Sequence, residues 1–465
     1  MRISRLFIAN RGEIAVRIIR SCRKLHIETV LAVSDADRNT LAAKLADRVI
    51  CIGPPKSSDS YLNINAIITS ALAAQADAIH PGYGFLSEDA NFARMCNEHG
   101  LIFVGPSVKN IQQMGNKLEA RALARQFGVP LAQGSVTISK FQDASQIAED
   151  VGYPVLLKAA AGGGGRGIRI VREKSELQTA FENASAEAMA AFGDNTLYLE
   201  RFIENARHIE VQILADSYGN VVHLGERDCS LQRRYQKVIE EAPASGLTQQ
   251  LREEIQQAAV RLAGNISYQS AGTVEFIMDM DREKFYFLEM NTRVQVEHPV
   301  TELLTGIDIV AEQLRIAGGE ELGYSQDDIK FSGWAIECRI NAESPLNGFL
   351  PSPGQITRWE APQGPDIRLD THCFAGYTVP PYYDSLLGKL IIHATDRAAA
   401  IRHMQLALDG FKVAGIDTNI PLHKFVLQQP EYQRGALSTR YLEKAVEKFA
   451  RWLTAIKTPA SVSGR

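Results

Sequence analysis

The order of elements in this chain predicts an α/β protein of several bodies, opening with a doubly wound parallel sheet. Three observations carry that reading. At 465 residues the chain exceeds what one ordinary core organises, so two or three domains are expected. Strand-like and helix-like segments alternate through the N-terminal part, the pattern of β-α-β units. Four consecutive glycines sit between two strand-like segments, where a hairpin turn is expected rather than a linker.

Taken in order, Arg5–Ala9 reads as a first strand, and Ile14, Ile18, Ile19, Cys22 and Leu25 then recur at helical spacing. Glu28–Val33 reads as a second strand, followed by a helix near Asn39–Ala46 and a short strand at Val49–Ile52. Asp77–His80 and Leu101–Val104 are further strands, with a helix around Ser87–Glu98 between them. Polar turns at Asn10-Arg-Gly12 and His80-Pro-Gly-Tyr-Gly-Phe-Leu-Ser-Glu88 fall where strand ends meet a ligand in such sheets, but no Gly-x-Gly-x-x-Gly is present. A helix over Asn116–Phe127 stops at Gly128 and Pro130. A compact region over 131–203 holds the glycine run, and strands and helices alternate again from 204 to 315. Beyond 332, strands at Gly333–Ile340 and Lys389–Ala394 precede a helix near Arg397–Phe411, and Thr458–Arg465 reads as a frayed end.

Composition narrows the function. Hydrophobic residues make up 45% and charged residues 22%, with a net charge of −4, which disfavours a nucleic-acid surface. No uncharged apolar run approaches membrane-spanning length, and the N-terminal apolar stretch is too short for a signal peptide. The six cysteines (Cys22, Cys51, Cys96, Cys229, Cys338, Cys373) include no Cys-x-x-Cys pair. They suit a reducing cytoplasm and small core positions rather than zinc or disulfides.

Four stretches bear on chemistry. In Glu289-Met-Asn-Thr-Arg-Val-Gln-Val-Glu297 polar residues alternate with others at the period of a β-strand, placing five polar groups on one face. The preceding Phe285-Tyr-Phe-Leu288 is apolar throughout, as in a strand buried on both faces, which argues against a solvated edge. The same spacing lets Glu289 and Asn291 finish a strand while Arg293, Gln295 and Glu297 lie where the chain leaves the sheet. In Lys158-Ala-Ala-Ala-Gly-Gly-Gly-Gly-Arg-Gly167 the glycines form the turn between Pro154–Lys158 and Gly167–Val171. Such a turn lets backbone N–H groups fold over phosphates, although the Gly-Lys-Ser/Thr ending of a Walker loop is missing. Lys158 at the entry can reach a phosphate or be a solvated side chain.

Glu275 lies in the alternating strand Gly272–Met278, and a hairpin turn over Asp279–Lys284 puts it opposite Glu289. Opposed carboxylates repel unless a positive group lies between them. The two readings are Mg²⁺ held with Asn291, or one carboxyl with a raised pKa or a lysine partner. Last, Asp228–Glu241 is rich in basic residues, among them Lys237, which together with Arg293 can hold a small planar oxyanion.

Seven segments in order resemble the biotin carboxylase family of the ATP-grasp superfamily, over almost the whole chain to about residue 445. They are Ile8–Ile14, His80–Glu88, Gly162–Gly167, Glu226-Arg-Asp-Cys-Ser-Leu-Gln-Arg-Arg234, Glu289–Pro299, Glu337-Cys-Arg-Ile-Asn-Ala-Glu343 and Phe349-Leu-Pro-Ser-Pro-Gly354. The resemblance implies a Rossmann-like pre-ATP-grasp domain over 1–115 and an ATP-grasp domain over 116–330 with a mobile glycine-rich lid at 131–203. It further implies an α+β C-terminal biotin carboxylase domain over 331–447 and a tail over 448–465. It places Lys117, Lys158, Gly164, Gly165, Glu200, Arg201, Ile203, His208, Gln232 and Tyr235 against ATP, with Glu275 and Glu289. Glu275, Glu289 and Asn291 match ligands of Mg²⁺ (or Mn²⁺). Lys237, Arg293, Gln295 and Val296 match the bicarbonate site, and Glu297 the base that deprotonates bicarbonate. Arg339 matches the residue that stabilises the biotin enolate, with Tyr83 and Glu88 lining the same region.

The implied reaction uses ATP and bicarbonate to make carboxyphosphate and then carboxylates biotin. This is the first half-reaction of acetyl-CoA carboxylase, and so of fatty acid biosynthesis, or of a related acyl-CoA, pyruvate or urea carboxylase. No Met-Lys pair occurs, so biotin is expected on a separate biotin carboxyl carrier protein, with separate carboxyltransferase subunits. The family resemblance implies a homodimer. Tyr235 departs from the family, which often has His there; altered nucleotide affinity is expected. Ala159–Ala161 at the lid entry imply a slightly stiffer lid. Another ATP-grasp ligase would share the Mg·ATP site, but Arg339 within Cys338-Arg-Ile-Asn341 and the complete Arg293–Glu297 run separate the two. An inactive regulatory homologue requires loss of an essential group, and all of them are present.

Overall fold

In the N-terminal domain five parallel strands lie in the order β3-β2-β1-β4-β5, with β1 Arg5–Ile8, β2 Glu28–Ser34, β3 Arg48–Gly53, β4 Ala78–His80 and β5 Ile102–Phe103. This is the doubly wound sheet that the β-α-β alternation predicts. The strand order reverses between β1 and β4, so their carboxyl ends border a crevice. Helix α1, Gly12–Lys24, buries Ile14, Ile18, Ile19 and Cys22 against this sheet. Each large aliphatic side chain contributes about 1.5–3 kcal/mol by leaving water, so Ile18→Asp would unseat the helix. The computed structural model describes residues 3–135, 137–160 and 168–457, so the glycine turn Gly162–Gly167, with Gly164 and Gly165, and the end Thr458–Arg465 lie outside the described residues.

Two helices depart from the sequence reading. The first, α2, Ile64–Ala73, contains Ile and Thr residues whose β-branching favours strands. It forms because Asn63 caps Ala66 N and because Ile67, Ile68 and Ala71 meet the sheet. The second, Val108–Gly115, precedes helix α3, Lys117–Gln126, and the break between them is Asn116, whose side chain caps Leu118 N and Glu119 N.

The compact region carries its own core. Strands β6 Val155–Ala159, β7 Ile168–Val171 and β8 Leu197–Arg201 form an antiparallel sheet in the order β7-β6-β8. Helices Phe141–Val151 and Lys174–Phe192 cover it, and Leu157, Val171, Leu177 and Leu199 are buried within it. The pairing of β6 with β7 is the hairpin expected on either side of the glycines.

One sheet joins the rest. Its strands are β9 Ala206–Ala215, β10 Val221–Arg233, β11 Gln236–Ala242, β12 Ser270–Asp279, β13 Lys284–Asn291 and β14 Trp334–Asn341. They run β13-β12-β9-β10-β11-β14 and continue into strands Leu386–Ala394 and Ile367–Thr371. Pairing of β11 with β14 therefore extends the central sheet into the C-terminal part without a break. Helix Tyr441–Lys457 packs Phe449 and Leu453 into the C-terminal core, so residues 448–457 belong to that body. Among the described residues no helix is long and apolar enough to cross a membrane.

Candidate active site

Side chains of β9, β11, β12 and β14 meet over the central sheet, and a buried ammonium stands at their centre. Lys237 of β11 donates to Glu275 Oε1 of β12 at 2.8 Å and to Glu297 Oε1 at 2.6 Å, and also pairs with Glu210 of β9. All three carboxylates are nearly excluded from water. Burial alone would raise Glu297, but Lys237, Arg339 and Arg227 bring it well below the usual carboxylate range. Glu275 moves the same way: burial opposes ionisation, and Lys237 and His208 overcome it. Both groups are therefore anions at neutral pH.

Strand β13 ends at Asn291, so the alternating stretch is one strand end and one loop rather than a single polar strand face. Its parts still meet. Arg293 Nη1 donates to Gln295 Oε1 at 2.8 Å, and Nη2 to Asn291 Oδ1 at 3.2 Å. Gln295 Nε2 donates to Glu275 Oε1 at 3.2 Å, while Val294 is buried and pins the loop to the core. The carbonyl of Val296 accepts from Lys389 Nζ at 2.8 Å. Glu297 then immediately precedes helix α4, His298–Thr305, without a side-chain capping bond. Arg339 of β14 closes the far side, donating from Nη2 to Glu297 Oε2 at 2.8 Å.

The hairpin places Glu275 and Glu289 opposite one another in register, as its spacing predicts. Asn291 Nδ2 donates to Glu275 Oε1 at 2.8 Å. Lys237 neutralises Glu275, whereas Glu289 is raised, by burial first and then by the nearby Glu275, with Lys117 opposing. The second reading of the opposed carboxylates describes this arrangement: a lysine holds one, and the other is raised. His208, Glu210 and Glu275 offer ligand atoms within 4.8 Å of one another, as do Glu210, Cys229 and Glu297. Both of those groups surround the Lys237 ammonium, which occupies the position a cation would take. Glu289 is the carboxylate left under-compensated, and its hard oxygens, together with those of Glu275 and Asn291 Oδ1, suit Mg²⁺ or Mn²⁺.

The expected nucleotide positions line the junction with the compact region. Lys158 on β6 pairs with Glu200 on β8, and Arg121 of α3 donates to the other oxygen of Glu200 at 2.9 Å. Burial pulls Lys117 down, with Glu289 and Glu200 opposing. Burial likewise works against His208, yet Glu275, 3.0 Å away, raises it, and its Nδ1 lies 2.6 Å from Gln232 Nε2. Arg201 ends β8 and Ile203 lies half-buried in the link to β9. Tyr235 stands at the tip of the β10–β11 hairpin with φ 65°, next to Arg234 at φ 50°, and is 63% exposed.

A cavity of about 370 Å³ opens at the carboxyl ends of β1 and β4, lined by Arg11, Glu13, Tyr83, Tyr383 and Asp384 among others. Tyr83 donates to Glu13 there. Its turn depends on Gly82, whose φ is +62° and where a Cβ would lie 2.9 Å from Asn10 Nδ2. That amide donates to Pro81 O and Tyr83 O, which fixes the turn. Glu88, expected beside biotin, accepts at Oε2 from Arg293 Nε at 2.8 Å and at Oε1 from Thr292 N at 3.0 Å.

Sequence reasoning misses Arg121, Glu210, Arg227, Glu240 and Lys389. Glu210 had a usable signal, since His208, Glu210 and Gln212 alternate along a strand that is buried over its whole length, the same polar alternation as in Glu289–Glu297. Lys389 is a lone charge in the apolar run Leu386–Ile392. Arg121 lies on a helix of mixed polarity and gives no such signal.

Comparison with known proteins agrees with this geometry. Residues 2–111 match the family model "Biotin carboxylase, N-terminal domain", 116–325 match "Carbamoyl-phosphate synthase L chain, ATP binding domain" and 337–444 match "Biotin carboxylase C-terminal domain". The chain is 50% identical over 442 residues to "Biotin carboxylase 1" of Bacillus subtilis, covering 95% of this chain and 98% of that one. Biotin carboxylase of Campylobacter jejuni, solved as a β,γ-ATP complex, superposes with a TM-score of 0.92 at 47% identity, covering 95% of this chain and 99% of that one. The biotin carboxylase domain dimer of Hydrogenobacter thermophilus 2-oxoglutarate carboxylase was solved with MgADP, ADP and bicarbonate. It also has a TM-score of 0.92, at 49% identity, covering 97% of this chain and 99% of that one.

Proposed function

The chain belongs to the biotin carboxylase family and carboxylates biotin with ATP and bicarbonate, and from that premise we propose how its residues divide the work. Arg293, Lys237, Gln295 and the Val296 backbone hold bicarbonate, the arginine through its planar fork. Glu297 takes the bicarbonate proton. The freed oxygen attacks the γ-phosphorus of ATP, the bond to the β-phosphate oxygen breaks, and ADP leaves carboxyphosphate behind. Carboxyphosphate divides into CO₂ and phosphate, the phosphate takes the ureido N–H proton of biotin, and the resulting enolate, stabilised by Arg339, attacks the CO₂ through its nitrogen.

The observation that carries this reading is the state of Glu297. It is fully buried, yet two cations in direct contact hold it as an anion beside Arg293 and Gln295. A base must be ionised before it can accept a proton. Mg²⁺ or Mn²⁺ on Glu275, Glu289 and Asn291 would neutralise phosphate charge during transfer. Lys158, Lys117, His208, Glu200 and Gln232 bind and orient the nucleotide, and the 131–203 region closes over it to exclude water from carboxyphosphate. Biotin enters by the cavity beside Tyr83, at the switch point of the N-terminal sheet.

The dimer reported for the 2-oxoglutarate carboxylase domain supports a homodimer. Biotin comes on a biotin carboxyl carrier protein, separate carboxyltransferase subunits use the product in the cytoplasm, and the parent enzyme is an acetyl-CoA carboxylase or a related carboxylase. Domain limits at 1–115 and 116–330 follow the same reading, and the C-terminal domain runs from 331 through the helix that ends at Lys457. The test is phosphate release from ATP in the presence of bicarbonate, with and without free biotin. Release that depends on bicarbonate and rises with biotin is expected; absence of any biotin dependence refutes the assignment.

A further inference from the structure

Arg339 is held at two points by two different carboxylates, and only one of them has a task in the reaction described above. Nη2 donates to Glu297, and Nε donates to Glu240 Oε1 at 2.5 Å. Glu240 lies on β11, directly across the ladder from Glu337 of β14, and is 0% exposed. Its other oxygen has no hydrogen-bond partner among the described residues. A carboxyl in such a place costs stability, so it is expected to earn its position through the group it holds.

We propose that Glu240 is a positioning residue for the carboxylation of biotin: it fixes the Arg339 guanidinium so that the donors not engaged by Glu297 face the acceptor. The inference rests on Arg339 acting on biotin. Arg339 Nη1 makes no hydrogen bond among the described residues and is the donor left for that purpose. The arrangement matters most after the first proton transfer. Once Glu297 has accepted the proton of bicarbonate it is neutral, and Arg339 loses one counter-charge. Glu240 is the remaining acceptor, and it keeps the guanidinium in place while the second step proceeds.

The charges facing Glu240 agree with this. They are Arg339 and Glu337 from β14, Glu297 from the loop before α4, and Lys237 on its own strand, with the Cys229 and Cys338 thiols nearby. Burial raises Glu240 to about 7, Glu297 adds to the effect, and Arg339 and Lys237 oppose it. Loss of the Glu297 charge therefore favours the anionic form of Glu240 at the moment Arg339 needs it.

The experiment uses the full chain with MgATP, bicarbonate and free biotin. In Glu240→Ala the biotin-dependent kcat is expected to fall about 10- to 100-fold, the effect of releasing a charge-assisted hydrogen bond that aims a transition-state donor. Biotin-independent ATP hydrolysis and the KM for ATP should change far less. Glu240→Gln keeps an acceptor for Nε, so it should retain more of the rate while losing the Glu240 inflection, at or below about 7, in the biotin-dependent pH profile. Equal loss in both reactions, or an unaltered inflection in Glu240→Gln, overturns the proposal. If Glu240→Ala does not fold, by circular dichroism, the Glu240→Gln profile decides alone. A wild type without biotin-dependent release overturns the functional reading and this one with it; an active wild type with wild-type-like variants overturns this one alone.

Discussion

Replacing Lys237 by Met removes one positive charge from among Glu210, Glu275 and Glu297 while keeping most of the side-chain volume. The consequence for stability depends on pH, and the sign follows from the shifts. In the wild type Glu275 and Glu297 lie below their unfolded value of about 4.3, so each contributes stability above that pH and loses it as pH falls through the folded pKa. Without the ammonium, burial is opposed at Glu297 only by Arg339 and Arg227 and at Glu275 mainly by His208, so both carboxyls move upward. Their contribution above about 4.3 then shrinks, and the deficit of the variant grows as pH rises through that range. Lys237 itself is raised, so its own contribution is complete below about 10.4 and does not vary between pH 5 and 8.

At pH 8 the deficit should approach the ~3–5 kcal/mol typical of a buried charge left without its partner. At pH 5 the carboxyls can protonate, and mainly the lost hydrogen bonds remain, about 1–2 kcal/mol. With an unfolding entropy of about 2.1 cal/mol/K per residue, 465 residues correspond to about 1 kcal/mol/K, so the midpoint should drop by about 3–5 °C at pH 8 and by about half that or less at pH 5. Thermal unfolding of both proteins across pH 5–8, without nucleotide, measures this. An equal deficit at both ends would show that Lys237 acts through packing rather than by holding anions, and would refute the electrostatic account of the site.

Three further outcomes are expected. Glu289→Gln removes a carboxylate that burial and Glu275 already disfavour, so the ligand-free protein should be more stable at pH 8 while the Mg²⁺ needed for half-maximal rate rises about tenfold; titration of rate and Tm with Mg²⁺ checks both. Arg121→Met leaves Glu200 with Lys158 alone, and the KM for ATP should rise about tenfold with little change in that for bicarbonate, measured by steady-state kinetics. Tyr235→His, at an exposed hairpin tip, should change the KM for ATP severalfold and leave turnover nearly intact; a large fall in turnover at unchanged KM would contradict its placement beside the nucleotide.

Some of this molecule is readable from short stretches of sequence because the information is local. Period-two polarity and a short turn bring Glu275 opposite Glu289, since an antiparallel hairpin sets its own register. The glycine run between apolar segments predicts the β6–β7 pairing, and the strand–helix alternation predicts the parallel N-terminal sheet. Even the stretch Glu289–Glu297 declares its polar set, although alternation alone could not say that the strand stops at Asn291.

What the sequence determined by itself is therefore the order of the main strands and helices, the family they belong to and many of the chemically unusual side chains. Tertiary structure decided their partners. Glu88 meets Arg293 across 205 residues, and Lys237 meets Glu297 across 60. Arg339 is divided between Glu240 and Glu297 only because β11 pairs with β14, strands separated in sequence by β12, β13 and their helices. The physical reason is that a repeating pattern fixes which face of a strand a residue occupies, whereas the charge it meets there depends on strand order and on loops brought in from other domains. Ionisation states depend on both, because burial and counter-charge act with opposite sign and only the assembled site determines which prevails.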